Sequence, residues 1–483
     1  MKKILTLDTK DFLSGVSEIA YGNRGGLFFS ADGVAPFVSP RKASKDFGLL
    51  QTFSAPTDMT STIVDDVPFV WASEATGSNA GYLYIMGNGG HFYVVVLFTN
   101  AITDERSGGV ITDPAIGLVI YNEDLFYAQK VQVGRAIEGT PPFDSSSTWD
   151  DDWSTAVGGS GGITSSIYHP MHIFSGRLWV GDFGGIDLIS GAQGAQTYTD
   201  DVITFDSDYR VLCLEDDGYY LVAGLTKNKG DNSIMGETKI VFWDTYSIYP
   251  NREWMLPEPH ISAIKKMGGW LYAVTGTGVY RFSYSSPPKK IINDVDCIYG
   301  RNASADVFLG NQLLIGRRSN KVTSYGSSIP EYPLAVFNPF TGWEAGQGAI
   351  MVCAQAITRT VYIGTNDSKL YRQNIATSGA TGLSATTNFI SLPRKTTIER
   401  IKVIFGNALA SGDSLNIDVS ADSDDTASDF GTISFAKHGA VRRASIDGSF
   451  TAEDLQLVLN FTAGNVKIRK IEVWGTPEIN SSE

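Results

Sequence analysis

Leu271-Tyr272-Ala273-Val274-Thr275-Gly276-Thr277-Gly278-Val279-Tyr280-Arg281-Phe282 is the stretch on which the fold turns. It is an apolar run, a turn with two glycines, and a second apolar run. Aromatic and branched residues suit a pleated surface, and glycine allows a tight reversal, so the stretch reads as a hairpin. Its strands are nearly all apolar instead of alternating, which means that both faces of the hairpin are covered. The same phrase recurs along the chain: Leu83–Gly87 with Phe92–Val95, Leu118–Tyr121 with Leu125–Tyr127, Leu178–Gly181 with Ile186–Ile189, Leu221–Gly224 with Ile240–Trp243, Leu313–Gly316 with Val322–Tyr325, and Val361–Gly364 with Leu370–Arg372. The phrases start about 46 residues apart on average, the period of a four-stranded propeller blade. Each phrase is read as an inner strand, a hairpin turn and an outer strand. The fold class predicted is all-β: a β-propeller, with six or seven blades favoured, followed by a small C-terminal β-sandwich. Unrelated hairpins in paired sandwiches are the competing architecture, and the regular spacing disfavours them.

Two stretches interrupt the pattern. Asp144–Ser166, rich in Gly, Ser and Asp, reads as a long surface excursion. Pro257–Met267 reads as a short turn of helix ended by Gly268-Gly269. A small, polar connector over 376–388 marks a boundary. Beyond it the apolar residues fall closer to every second position: Ile401, Val403 and Phe405; Leu415, Ile417 and Val419; Leu455, Leu457, Leu459 and Phe461; then Val466, Ile468, Ile471 and Val473. That is the pattern of half-buried strands. The domains expected are residues 1–380, a propeller with an N-terminal extension, and residues 381–483, a β-sandwich.

Hydrophobic residues make up 42% of the 483, enough for a substantial core. Fifty-two acidic against 38 basic residues give a net charge of −14, which makes nucleic acid a poor default partner. The basic pairs Arg41-Lys42 and Lys289-Lys290 are too short to reverse this and read as solvated loop residues. Cys213, Cys297 and Cys353 are odd in number and lack metal or redox spacing, so buried free thiols from a reducing compartment are expected. The opening MKKILTLDTKDF has too short an apolar run for a signal peptide, and folding in a cytoplasm is expected. No apolar stretch reaches the roughly 18 residues of a membrane-spanning helix.

Motifs of residue types that carry chemistry elsewhere each have a structural reading. Gly158-Gly159-Ser160-Gly161-Gly162 matches a nucleophile elbow in letters but lacks the flanking strand and helix, and reads as a linker. His169 and His172 lack further metal ligands nearby in sequence and read as structural. Asp182, Asp216, Asp217 and Asp244 are the acids to weigh for a propeller glycosidase, whose carboxylates meet at the central axis. Trp149 and Trp153 flank Asp150-Asp151-Asp152 and read equally as an exposed contact or as a loop folded onto its own blade. Asp422, Asp424 and Asp425 read as a solvated acidic turn, without the Gly and Glu of a calcium loop. No catalytic, cofactor-binding or metal-binding residue is assigned, no cofactor is expected, and the chain reads as a non-enzyme.

The layout as a whole, opening with Gly25-Gly26-Leu27 and Gly48-Leu49-Leu50 and closing with Ile468–Pro477, resembles virion β-propeller proteins of tailed bacteriophages, especially the tail hub or nozzle proteins of short-tailed phages. The resemblance is one of architecture and carries no residue-specific motif. It implies a structural component of a bacteriophage virion, assembled in the host cytoplasm in multiple copies. Its partners would be copies of itself and other virion proteins, with DNA passing without specific binding. Two alternatives stand beside it: a carbohydrate-binding or glycan-hydrolysing propeller, and a cellular protein-interaction propeller. The latter's strict repeat signatures are absent.

Overall fold

The structure is a computed structural model that describes residues 1–7, 28–32, 34–37, 49–52, 56–59, 67–106, 111–137, 141–158, 163–227, 236–293, 304–308, 312–326, 335–341, 343, 345–355, 358–374, 383–387, 389–421, 427–464 and 466–478. Seven four-stranded antiparallel units follow one another in sequence. Their innermost strands are Pro68–Ser73, Pro114–Tyr121, Met171–Phe174, Tyr209–Asp216, Ile261–Met267, Ala305–Phe308 and Ala349–Gln355. Each packs beside the next, and the last packs beside the first. The chain therefore forms a seven-bladed β-propeller, at the upper end of the expected count.

The ring is closed by chain segments far apart in sequence. Blade 7 takes its first three strands from residues 349–374 and its outermost strand, Thr57–Asp58, from ahead of blade 1. Met59 N donates to Leu370 O at 2.8 Å, and the Met59 side chain is buried between blades 7 and 1. Across the same seam Trp71 Nε1 donates to Val352 O at 3.0 Å and Gln355 Nε2 to Ser73 Oγ at 2.9 Å.

The recurring phrases are the second and third strands of the blades, not an inner and an outer strand. Middle strands are covered on both faces by neighbouring blades, so they are the ones that read as wholly apolar. Outermost strands face solvent and do not stand out; Thr197–Thr204, for example, alternates buried and exposed positions. The phrase at Leu118 is displaced by one strand, since Pro114–Tyr121 is the inner strand of blade 2, and this accounts for its uneven spacing. The glycines of the opening phrase are set by packing. A Cβ at Gly276 would overlap the His260 ring, and one at Gly278 would overlap the Ile292 carbonyl.

Two further expectations are corrected. Ile261–Met267 is the inner strand of blade 5, where the burial sequence of a covered strand replaces the expected helical turn. The excursion over 144–166 contains the outer strand of blade 2, Thr148–Asp150, and a helix, Trp153–Gly158, packed on blades 2 and 3.

The C-terminal segment carries the expected alternation, and every apolar residue named above for it is buried in one core. By hydrogen bonding it belongs to a single 14-stranded sheet that begins in blade 6 and continues through Phe28–Asp32 and Leu383–Thr387 into Arg443–Ala463, Ile390–Phe405 and Lys467–Pro477. Arg443–Ala463 pairs with Ile390–Phe405 along its first half and with Ser414–Ala421 along its second, so the sheet folds over its own core. The N-terminal strand Lys2–Leu7 pairs with Lys467–Pro477, and Leu49–Thr52 joins the same strand. The start of the chain is thus hydrogen-bonded to the C-terminal unit, whereas the 1–380 division places it with the propeller.

Two predictions follow from closure and from the burial of His260. Met59→Ala removes a buried side chain and is expected to cost about 2–4 kcal/mol. Met59→Pro also removes the closing donor and is expected to cost about 1–2 kcal/mol more in urea unfolding. Equal costs would mean that the closing hydrogen bond contributes nothing. Burial holds the His260 imidazole down to about 4, with Arg318 acting in the same direction and Glu258 against it. The unfolded chain therefore takes up the proton first. The stabilisation from neutral His260 is complete above pH 6.5 and is lost as pH falls towards 4, by about 2–3 kcal/mol. His260→Leu should flatten that part of the stability–pH curve, measured by urea midpoints between pH 7 and 4.

Candidate functional site

In an antiparallel blade the turn after the first strand and the turn after the third lie at the same end. In blade 4 these are residues 217–220 and 244–251. They carry Tyr219, Tyr246, Ile248 and Tyr249, exposed by 84%, 77%, 78% and 72%. Phe98, in the corresponding outer turn of blade 1, is 69% exposed at the same end. Large apolar side chains this open are costly in water unless something covers them.

The turns that hold them are stiff. Asp217 Oδ1 accepts from the backbone N–H groups of Tyr219 and Tyr220, both at 2.8 Å. Asp244 Oδ1 accepts from Tyr246 N and Ser247 N, while its Oδ2 accepts from Ser247 Oγ and Asn251 Nδ2. The N–H group of Ser247 leads the hydrogen bonds that hold the Asp244 carboxyl well below the usual carboxylate range. Trp243 Nε1 donates to Ser247 O at 2.6 Å and anchors the second turn to the core. The Tyr220 and Tyr284 rings stack at 4.4 Å, joining blade 4 to blade 5. Arg252 lies over both Tyr284 and Trp254, at 4.6 and 5.1 Å, and Nη1 donates to Tyr284 O at 2.8 Å. The exposed tyrosines thus project from a pinned base.

Inward of this rim, at the same end, the innermost strands carry a polar group. His172 Nε2 lies 2.9 Å from Asp216 Oδ2 and 3.8 Å from Glu215 Oε1. Lys266 Nζ lies 3.2 Å from Asp216 Oδ1. The His172 hydrogen bond, together with Lys266, lowers the Asp216 carboxyl to about 2 against the opposing effect of burial. One carboxylate therefore ties three consecutive blades. Farther round the ring Asp306 accepts from Val307 N at 2.8 Å and Ala354 N at 2.7 Å, linking blades 6 and 7.

The acids weighed for glycosidase chemistry do not meet at one point. Asp217 and Asp244 cap turns, and Asp216 is ion-paired. Asp182 lies between blades 2 and 3, where both oxygens accept from Thr164 N and Oδ1 is 3.6 Å from His169 Nδ1. Burial pushes Asp182 up to about 6 and pulls His169 down to about 4. His169 reaches Gly181 O and Lys130 O, each at 3.1 Å, and is a seam residue, as its structural reading expects. His172 is the half-exposed member of the pair, and it stands among acids that its sequence neighbourhood does not reveal.

Trp153 is buried and Trp149 half-buried, which settles their reading as a loop folded onto the blades. Arg106 of blade 1 stacks on Trp149 at 4.5 Å and forks onto Asp151 at 2.9 and 3.3 Å. Lys289-Lys290 lies on a strand, and Lys290 pairs with Glu258 at 2.9 Å, so this basic pair is not a solvated loop. Cys213 and Cys353 are free and buried, and burial raises the Cys213 thiol to about 12. Cys297, Arg41-Lys42, Gly159–Gly162, Asp422, Asp424 and Asp425 lie outside the described residues. Among the described residues no helix is long and apolar enough to cross a membrane.

No protein-family model matches the chain, and no curated protein matches it. Among solved structures it is similar to Raptor from Chaetomium thermophilum, with 12% identity and a TM-score of 0.47 over 67% of this chain and 30% of that one. The chain therefore spans under a third of the length of that relative. It is also similar to the β-propeller domain of Cps50 (Swd1) from Myceliophteria thermophila, with 9% identity and a TM-score of 0.43 over 66% of this chain and 98% of that one. These likenesses concern the fold alone.

The stiffness of the rim is testable. Asp244→Ala is expected to speed amide exchange at Tyr246 and Ser247 by about tenfold or more while leaving the middle strands of blade 4 protected. Unchanged exchange at those two amides would show that the turn is held by other means.

Proposed function

We propose that this protein is a non-enzymatic structural component of a bacteriophage virion, a tail hub or nozzle or a related tail or neck protein assembling in multiple copies, and that it docks a neighbouring virion protein through the blade 4 rim. The observation that carries the docking role is the set Tyr219, Tyr246, Ile248 and Tyr249, open to solvent on turns already fixed by Asp217 and Asp244. A backbone already fixed loses little entropy on binding, and aromatic side chains are the residue type that dominates interface energies. The virion assignment rests on the resemblance of the architecture. It is supported by a body suited to load: a closed ring whose blade 6 continues into the C-terminal unit as one sheet. In a ring of copies, modest contacts are enough, because closure makes them cooperative. The net charge of −14 suits a particle protein past which DNA moves without adhering.

A second reading is favoured by the same tyrosines, since exposed rings near carboxylates also stack on sugars. One experiment separates the two. Tyr219, Tyr246, Ile248 and Tyr249 are changed together to Ser, and particle assembly is followed by electron microscopy alongside glycan binding by the isolated chain. The docking reading expects an unchanged melting temperature, association weakened by about 100-fold or more, and particles lacking this protein. Intact assembly of the variant overturns it. Loss of glycan binding with assembly retained transfers the site to the carbohydrate reading.

A further inference from the structure

We infer that His172, Glu215 and Asp216 form a binding site for one first-row divalent metal ion, with Zn²⁺ the leading candidate, at the mouth of the ring between blades 3 and 4. His172 Nε2, Glu215 Oε1 and Asp216 Oδ2 all lie within 4.8 Å of one another. Nε2 is 2.9 Å from the Asp216 oxygen and 3.8 Å from the Glu215 oxygen. An ion about 2.0–2.2 Å from each donor holds neighbouring donors roughly 3 Å apart, so side-chain shifts of about 1–2 Å close the triangle.

The local backbone explains how two successive residues serve one site. In a regular strand Glu215 and Asp216 point to opposite faces. Here they end the inner strand of blade 4, and Asp216 N donates to Glu215 Oε1 at 3.2 Å, which turns the Glu215 carboxylate back towards Asp216. His172 comes from the inner strand of blade 3, so the ion would join two blades. Lys266 engages Asp216 through Oδ1, so the ion would replace only the hydrogen bond between Asp216 Oδ2 and His172 Nε2. The side chains of His172, Glu215 and Asp216 are 22%, 16% and 22% exposed, open enough for exchange and for water to complete the coordination.

One imidazole and two carboxylates suit zinc, manganese, iron or cobalt, whereas calcium requires six to eight oxygens. The other acidic group, Asp182, Asp187 and Asp200, has no imidazole among its three ligands. Its oxygens are held by groups that are not metal ligands: Asp187 by the Tyr198 hydroxyl at 2.6 Å and Asp201 N at 2.9 Å, and Asp182 by Thr164 N.

The test is titration of metal-stripped full-length protein with Zn²⁺ alone, by calorimetry, with Mn²⁺ and Co²⁺ in parallel. One ion per chain is expected. His172→Gln and Glu215→Gln should each weaken binding at least about tenfold. Asp104→Asn, which alters the separate His91–Asp104 pair, should leave it unchanged. X-ray absorption of the wild-type zinc complex needs no variant, and one imidazole with oxygen donors is expected. Failure of all three metals to bind, binding that survives both substitutions, or a spectrum without imidazole overturns the site.

Discussion

Every element of the propeller depends on burial between the faces of neighbouring blades. A four-stranded blade is apolar on both faces and cannot stand alone in water. Trp179 and Trp243, from blades 3 and 4, meet edge to face at 5.1 Å and are fully buried, so each blade's middle strands fill the space beside the other. Such a stack has two exposed end faces unless it closes on itself. Pairing Thr57–Asp58 with the last blade removes both ends at once, because the chain that begins blade 1 also completes blade 7.

This constraint decides what was legible in the sequence. The middle strands are covered on both sides and therefore announce themselves as apolar runs, which is why seven phrases gave the right architecture. The closing strand has two exposed residues and belongs to a blade about 300 residues away in sequence, so no local pattern reveals it. The strands ahead of blade 1 pair with the C-terminal unit for the same kind of reason. A strand's partner is set by three-dimensional register, and the period-2 pattern of Lys467–Pro477 does not name Lys2–Leu7 as its neighbour. The expected helical turn at Pro257–Met267 failed because Ile261, Ala263 and Ile264 are placed by contact with adjacent blades, which outweighs local propensity.

The candidate site was less legible. Four aspartates drew notice as acids near an axis, and their chemistry is fixed by what reaches them. Asp217 and Asp244 meet backbone N–H groups of their own turns, and Asp216 meets a histidine and a lysine from two other blades. Only the first situation is local. Asp244-Thr245-Tyr246-Ser247-Ile248-Tyr249-Pro250-Asn251 offered a usable signal, since large apolar residues inside an Asp-, Pro- and Asn-rich turn have no core to enter. His172 offered none, because both of its acidic neighbours lie on the next blade.

The exposed apolar groups are distributed unevenly in a way that bears on function. Tyr219, Tyr246, Ile248, Tyr249 and Phe98 all lie at the end of the ring where each blade's first and third turns emerge. A propeller gains no stability from aromatic rings in water, and the turns would close equally well around small polar residues. The turns of blade 4 nonetheless devote Asp217, Asp244, Trp243 and Asn251 to fixing the backbone beneath its exposed side chains. A stiff backbone beneath exposed side chains makes physical sense when they meet a surface that rewards a fixed arrangement. The polar group of His172, Asp216 and Lys266 stands just inside that rim, so a partner seated on blade 4 would rest directly above the point where three blades are tied together.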